Sequence, residues 1–495
     1  MDEARPAVRS GPQPDPSDEP EKAADHDGPS TLRALSEGAF VALFFAGLLI
    51  APFLMGATRD WAWSPLVVLF GALAVWHALG FAAPSRSIRR GEQRLLLATA
   101  LCFVGVVMMG LLQISPLAPS SWHAALYARA ATTLDRTVTG LITIDADSSR
   151  AILMKTATCG AVFLMARATF ADSRKARLFL LLFVIGAVVV TAYGLLMHAT
   201  NGSCYVFNYN KRPEATPLGR TFLCVFSGTF INSNSYAACA GMALVASLGL
   251  ILSGNTGRTD GQTVFERAPA DVWFTATRLF CMAASFLLFG GLLLSNSRAG
   301  FAVTIMACIL LSLLLLRGRA PSSPVAAWSV VAIILAAALI SLVTGSALFA
   351  KLEKLSDVDL WGRFRIWQVA WSALTQSPWL GWGLGTFPEV YALLQPPDMQ
   401  IPTDRAHSTP LEWLDDLGVL GALCAFGTVL LPVWMCLRGA LRRRTNRYLS
   451  AVALAASLLA IVHSFVDFSL QIPAIGLTVS ALLGLGWAQA FRRYE

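Results

Sequence analysis

The sequence predicts an all-α polytopic membrane protein of about twelve transmembrane helices, with one large loop between the ninth and the tenth. Three observations predict it. Only 14% of the 495 residues are charged, where a soluble chain of this size carries roughly a quarter. The mean hydropathy is +0.59. Apolar runs flanked by charge recur along the chain, each roughly 18–24 residues and so long enough to cross a hydrocarbon core about 30 Å thick.

The first 33 residues are of a different composition, with eight acids, four bases and six prolines. Such a stretch has too little apolar surface to offset its ordering entropy and is expected to be disordered. It lacks a basic region leading into a short apolar run, so the first span reads as an uncleaved anchor. The twelve expected spans are 38–57, 61–83, 95–114, 151–169, 178–199, 235–253, 279–295, 300–316, 325–347, 417–437, 449–466 and 474–490. The chain therefore divides into a tail (1–33), helices one to nine (34–347), a large loop (348–416), and helices ten to twelve with a short tail (417–495).

An even number of spans puts both termini on one side. If that side is the cytoplasm, its short segments hold 24 of the 38 Lys and Arg residues. That bias orients multi-pass proteins. The net charge of +8 is then mostly a topology signal, and no nucleic-acid-binding motif claims it. The opposite side receives the three sizeable loops, 115–150, 200–234 and 348–416, and chemistry is expected there. Seven of the nine cysteines fall in or beside spans and read as small packing residues. Cys204 and Cys224 share the second outer loop, where a disulfide and two free thiols both remain open.

The outer loops offer several cations. Arg298, in LLLSNSRAGFAV, sits between two spans with almost no loop, so its charge lies close to the membrane face and needs a partner. Arginine suits phosphate because its planar fork donates two parallel hydrogen bonds. In WGRFRIWQVAWSALTQ (361–376), Trp367, Ala370, Trp371 and Leu374 recur at helical spacing, with Arg363 and Gln368 off that stripe. A helix of that kind lies flat in the membrane interface. GWGLGTF lacks the Lys-Ser/Thr of a phosphate-binding loop and reads as a turn. Asp357-Val358-Asp359 resembles the metal-binding pair of soluble sugar-nucleotide transferases, but nucleotide sugars are cytoplasmic and this loop is expected outside. His407 is the one histidine of the largest outer loop, and an imidazole can take a proton near neutral pH. His463 and Asp467 follow at i and i+4, which places them on one face of a helix end.

An ordered series of motifs carries a resemblance to a known family. GTFINSNSYAACAG (228–241) contains Asn232 and Asn234, and SNSRAG (295–300) contains Arg298. GRFRIW (362–367) with PWLGWGLGTF (378–387) follows, then RAHSTPLEWLDDLGVLG (405–421) and HSFVDFSLQIPA (463–474). The series resembles the O-antigen ligase family, which includes related O-antigen polymerases and protein oligosaccharyltransferases, over roughly residues 220–475. Ser408 stands where the family usually has Asn, and Asp416 where it usually has Glu. Both substitutes are shorter, which bears on how His407 is held.

The resemblance implies a membrane glycosyltransferase of GT-C-like architecture in the bacterial inner membrane, acting at the periplasmic face on lipopolysaccharide or a related glycan. The donor it implies is a glycan on undecaprenyl diphosphate, and the acceptor a hydroxyl on lipid A-core or on a second carrier-linked glycan. His407 is then the candidate base, and Arg298, Arg363, Arg220, Arg365 and Arg405 the candidate diphosphate contacts. Asn232, Asn234, Ser408, Asp416, His463 and Asp467 support the site. Arginines can stabilise a leaving diphosphate, so no metal or other cofactor is expected, and the displacement is expected to invert the anomeric centre. Ligation to lipid A-core leads, repeat-unit polymerisation and protein glycosylation are alternatives, and a polysaccharide flippase is the competing class. A flippase predicts mid-span charge and repeated halves, and the ionisable groups gather at one face instead. Two fusions test the sidedness. Alkaline phosphatase inserted after Asp135 is expected to be active, and green fluorescent protein at the C-terminus to fluoresce. The opposite pattern overturns the orientation.

Overall fold

A helix satisfies its own backbone polar groups, which is why apolar segments in a bilayer fold as helices. The computed structural model describes residues 28–80, 90–200, 211–216, 219–224, 226–253, 264–317, 361–399, 403–443 and 445–491. The helices are α1 (Gly28–Ile50), α2 (Asp60–Ala78), α3 (Arg90–Gln113), α4 (Ala125–Leu134), α5 (Ala146–Thr169), α6 (Ser173–Ala199) and α7 (Ser233–Leu252). They continue with α8 (Val264–Leu294), α9 (Arg298–Leu316), α10 (361–376), α11 (Phe387–Leu394), α12 (Thr409–Arg442), α13 (Arg447–His463) and α14 (Pro473–Ala490). Ten of the described helices are long and apolar enough to cross a membrane, and this is a multi-pass membrane protein.

Ten stands against the twelve expected. α13 accounts for one difference, being apolar but only 17 residues long. The expected span 325–347 lies outside the described residues, as do Asp357, Asp359 and Cys204. The all-α expectation also needs an addition. Between α6 and α7, β1 (Lys211–Thr216) pairs antiparallel with β2 (Gly219–Cys224) as a short hairpin, with Ala215 opposite Arg220.

α7 is the hub of the bundle, with 94% of its apolar window buried. Its sequence SNSYAACAGMALVASLGLIL is rich in Ala, Gly and Ser, and small residues let helix backbones approach where lipid gives no hydrophobic drive. A Cβ on Gly241 would lie 2.3 Å from Thr304 Oγ1 of α9, and one on Gly249 would lie 2.0 Å from Val452 Cγ2 of α13. α3 and α5 sit at the periphery and expose leucine, valine and methionine outward.

Polar contacts sort the helix ends into two groups. At one end Arg167 pairs with Glu92 at 3.0 Å, Lys175 pairs with Glu37, and Arg447 Nη1 donates to Arg317 O at 2.9 Å. These are ends that the charge bias assigns to the cytoplasm. At the other end Thr229 Oγ1 donates to Pro52 O at 2.7 Å, and Gln113, at the close of α3, is fully buried.

One irregularity positions the site. α12 is interrupted at Gly418 (φ 65°, ψ 177°), and a second chain segment repairs the break. Trp382 N donates to Asp415 O at 2.9 Å, Gly383 N to Asp416 O at 3.1 Å, and Val419 N to Pro378 O at 2.8 Å. The Gln113 side chain seals the joint, donating to Leu380 O and Asp416 O, both at 2.7 Å, and accepting from Leu384 N at 3.2 Å. GWGLGTF is thus the turn its sequence suggests, with Gly381, Gly383 and Gly385 all at positive φ.

A Cβ on Gly418 would lie 2.4 Å from Trp379 O, a backbone atom that cannot swing away. Gly418→Ala is expected to cost about 2 kcal/mol or more and to lower the melting temperature in detergent. Gly71→Ala in α2, where nothing lies within 4 Å of the new Cβ, is expected to stay within about 1 kcal/mol of the parent. Equal effects from the two substitutions would contradict this account of the break.

Candidate active site

The turn before α12 is built around a buried carboxylate. Glu412 is 1% exposed; its Oε1 accepts from Arg405 Nη1 at 3.0 Å and its Oε2 from Ala406 N at 3.0 Å. Arg405 Nη1 also donates to Gln471 Oε1 at 2.8 Å, while Trp367 Nε1 of α10 donates to Ala406 O at 2.9 Å. Thr409 N donates to Ser464 O at 2.8 Å, which ties the turn to the segment after α13. Between these anchors His407 adopts φ 52°, a left-handed conformation that histidine tolerates better than most residues. Its ring meets Phe468 edge-on, with centroids 5.2 Å apart. Burial opposes the charge of Arg405, and Glu412, Asp404 and Asp416 more than restore it.

The facing wall is residues 464–472. Asp467 is 1% exposed and accepts from Asn234 Nδ2 of α7 and, at 2.6 Å, from Phe468 N. Burial pushes its carboxyl up from the usual range, while the Phe468 N–H, His407, Asn234 and Arg363 oppose that shift. Asn232 caps α7 by accepting from Asn234 N at 2.8 Å, so both asparagines have defined positions. Arg363 Nη1 of α10 donates to Val466 O at 2.7 Å. Asn234, Arg363, His407 and Asp467 therefore gather around one short turn although 233 residues separate the first from the last.

The other sequence candidates fall in different places. Arg298 is exposed at the first position of α9, whose first turn packs on α7; a Cβ on Gly300 would lie 2.7 Å from Ala237 Cβ. It sits at the same end of the bundle as Asn234, and no ion pair among the described residues includes it. Arg365 is paired with Asp398 at 2.5 Å, and that guanidinium holds the Asp398 carboxyl below its ordinary range. Arg405 is engaged by Glu412, as described. Arg220 lies on β2, opposite Ala215 of β1.

Three expectations need correction. His463 and Asp467 do not form an i, i+4 helical pair, because α13 ends at His463 and the chain turns there. The partner of His463 Nδ1 is Ser469 Oγ at 3.3 Å. Asp416, expected to bear on how His407 is held, commits its Oδ2 to Gly385 N at 2.8 Å and serves the glycine turn. The expected stripe on α10 splits. Ala370 and Leu374 are buried, whereas Trp371 is 61% exposed beside exposed Trp361 and Phe364. The buried line packs with α11, and the exposed aromatics are left for lipid. Ser408 takes the N-cap position of α12 without a side-chain cap bond and lines an open recess with Phe364, Trp367, Trp371 and Phe465.

Glu412 and Gln113 are the residues that sequence reasoning missed as organisers. Thr409-Pro-Leu-Glu412 has the Thr-x-x-Glu spacing of a side chain that reaches back over a helix start, a signal that could have found it. Gln113 bonds across 267 and more residues, so nothing local marks it. Glu412→Ala removes the carboxylate from Arg405, leaving it Gln471, and strands the Ala406 N–H. It is expected to cost about 2–3 kcal/mol, read as a lower melting temperature. Glu412→Gln, which can still accept from both donors, is expected to lose less.

Comparison with known proteins adds one match. Residues 283–426 match the family model described as O-antigen ligase. The matched stretch runs from within α8 into α12 and contains Arg298, Arg363, Arg365, Arg405, His407, Ser408 and Asp416, whereas Arg220, Asn232, Asn234, His463 and Asp467 lie outside it. No protein among the curated ones matches the chain.

Proposed function

Proceeding from a chain that carries an O-antigen ligase family domain, we propose that it transfers a glycan from undecaprenyl diphosphate to a hydroxyl acceptor at the periplasmic face of the bacterial inner membrane. Ligation to lipid A-core is the leading acceptor chemistry. The observation that carries the proposal is the convergence of His407, Asp467, Asn234 and Arg363 on one turn at one end of the bundle. Each of the four comes from a different motif of the series that resembles the family, and His407 and Arg363 lie within the matched stretch.

The chemistry follows from the groups present. His407 takes the proton of the acceptor hydroxyl as its oxygen bonds to the anomeric carbon from the face opposite the leaving group. The bond from that carbon to the diphosphate oxygen breaks, and its electron pair leaves on the diphosphate. Configuration is inverted by a single displacement of this kind. Asp467, held by Asn234 and the Phe468 N–H, favours the imidazolium that forms. Arg363 has one of its five N–H donors on Val466 O, and with Arg298 it receives the growing negative charge. The leaving group needs no general acid, and two guanidinium groups do the work of a divalent ion. The exposed Trp361, Phe364 and Trp371 on α10 lie against the bilayer where the carrier chain approaches.

The test is transfer by purified protein from a carrier-linked glycan to lipid A-core in the presence of a chelator. His407→Ala is expected to lower the rate by about 10²–10⁴-fold, and Arg363→Ala by about 10²–10³-fold. Normal rates from either variant sink the assignment of roles, and abolition by the chelator sinks the metal-independent route. Product made only with a second carrier-linked repeat as acceptor would assign the protein to polymerisation.

A further inference from the structure

A second cavity, of about 480 Å³, lies between α3, α5, α12 and α14 and is lined by none of His407, Arg298 and Arg363. Its volume falls in the range of small-molecule sites, roughly 300–1,000 Å³. The depth of the cavity is hydrocarbon, with Phe103, Val429 and Leu483 among its walls, and its ionisable side chains, the Cys159 thiol aside, are gathered at the end nearer Arg405. Four ionisable side chains meet there, and they do not have equal partners. Arg405 and Glu412 are paired with each other at 3.0 Å. Lys155 has its ammonium 4.5 Å from the centroid of the Trp63 ring, and none of the ion pairs among the described residues includes it. Asp416 is 5% exposed and commits Oδ2 to Gly385 N, while Oδ1 accepts no hydrogen bond among the described residues.

One ammonium and one carboxylate oxygen at the head of an apolar cavity call for a ligand with one charge of each sign and a hydrocarbon chain. A buried charge without a partner is costly, and in a membrane the abundant partner is lipid. We propose that this cavity binds a zwitterionic aminophospholipid. One acyl chain lies among α3, α5, α12 and α14, the phosphate faces Lys155, and the ammonium donates to Asp416 Oδ1. The bound lipid would press on the face of Glu412 and Arg405 opposite the turn that holds His407, so it would also steady that turn.

Native mass spectrometry of the full-length protein in detergent tests this, with phosphatidylethanolamine, phosphatidylcholine, phosphatidylglycerol and undecaprenyl phosphate as separate probes. Phosphatidylethanolamine is expected to be retained most strongly. Phosphatidylcholine has no N–H to give to Asp416, and phosphatidylglycerol has no cation. Lys155→Gln and Asp416→Asn are each expected to weaken phosphatidylethanolamine retention about tenfold. Thr156→Trp, which fills the cavity from α5, is expected to weaken retention of every glycerophospholipid, with an unchanged melting temperature as the folding control. Equal retention of phosphatidylethanolamine and phosphatidylglycerol overturns the headgroup assignment. Displacement of phosphatidylethanolamine by undecaprenyl phosphate assigns the cavity to the glycan carrier instead, and retention of no lipid overturns the site. None of these readouts depends on glycan transfer.

Discussion

The requirement that every backbone polar group inside a bilayer find a partner governs how this site is assembled. A break in a membrane helix leaves carbonyl groups without their own N–H partners, and α12 breaks at Gly418. The carbonyls of Asp415 and Asp416 are taken by the N–H groups of Trp382 and Gly383, and the freed Val419 N–H finds Pro378 O. The glycine turn can approach so closely because Gly381, Gly383 and Gly418 lack a Cβ; at each, a Cβ would lie within 2.4 Å of a neighbouring atom. Repairing the helix therefore fixes the segment after α10 against α12. Since Arg363 rides on α10 and His407 precedes α12, the same repair sets the distance between the cation and the base.

His407 itself is held in a backbone conformation that few residues adopt, and left-handed positions of this kind cost of order 1 kcal/mol. The surroundings over-determine it. Glu412 grips the residue before it through Ala406 N and the one before that through Arg405, and Trp367 holds Ala406 O. Ser408 follows without a cap bond of its own. The turn is fixed instead by Glu412 and by the Thr409 N–H on Ser464 O.

Much of this was legible in the sequence because it is periodic or local. Hydropathy runs locate the described membrane helices, though α1, α8 and α12 begin well before the expected spans, and GWGLGTF announces its turn through three glycines. The motif series contains all four residues that converge. What the sequence hides is long-range. α12 begins at Thr409 rather than 417, because hydrophobicity alone does not see that Glu412, Asp415 and Asp416 are buried within a helix. Spacing suggested a His463–Asp467 pair, but i, i+4 places two side chains together only while the helix continues, and Asn234 takes Asp467 instead. The α10 stripe divides because α11 covers one side of it, which no period of α10 could indicate. Arg365 and Arg405 looked equivalent to Arg363 until their carboxylate partners, 33 and 7 residues away, were in view.

That last distinction bears directly on catalysis. A guanidinium paired with a carboxylate has its charge largely cancelled at short range, and a diphosphate must displace or share that partner. Arg365 with Asp398 and Arg405 with Glu412 are in that state. Arg363 is positioned by the carbonyl of Val466, a neutral acceptor that fixes direction without consuming charge. The nearby carboxylate, Asp467, accepts from Asn234 and the Phe468 N–H and acts electrostatically on Arg363 and His407. Under the proposed chemistry this separation lets one small turn serve opposite ends of the reaction. Its negative side chain steadies the imidazolium formed from the base, while a guanidinium whose fork is not clamped by a carboxylate remains for the departing diphosphate.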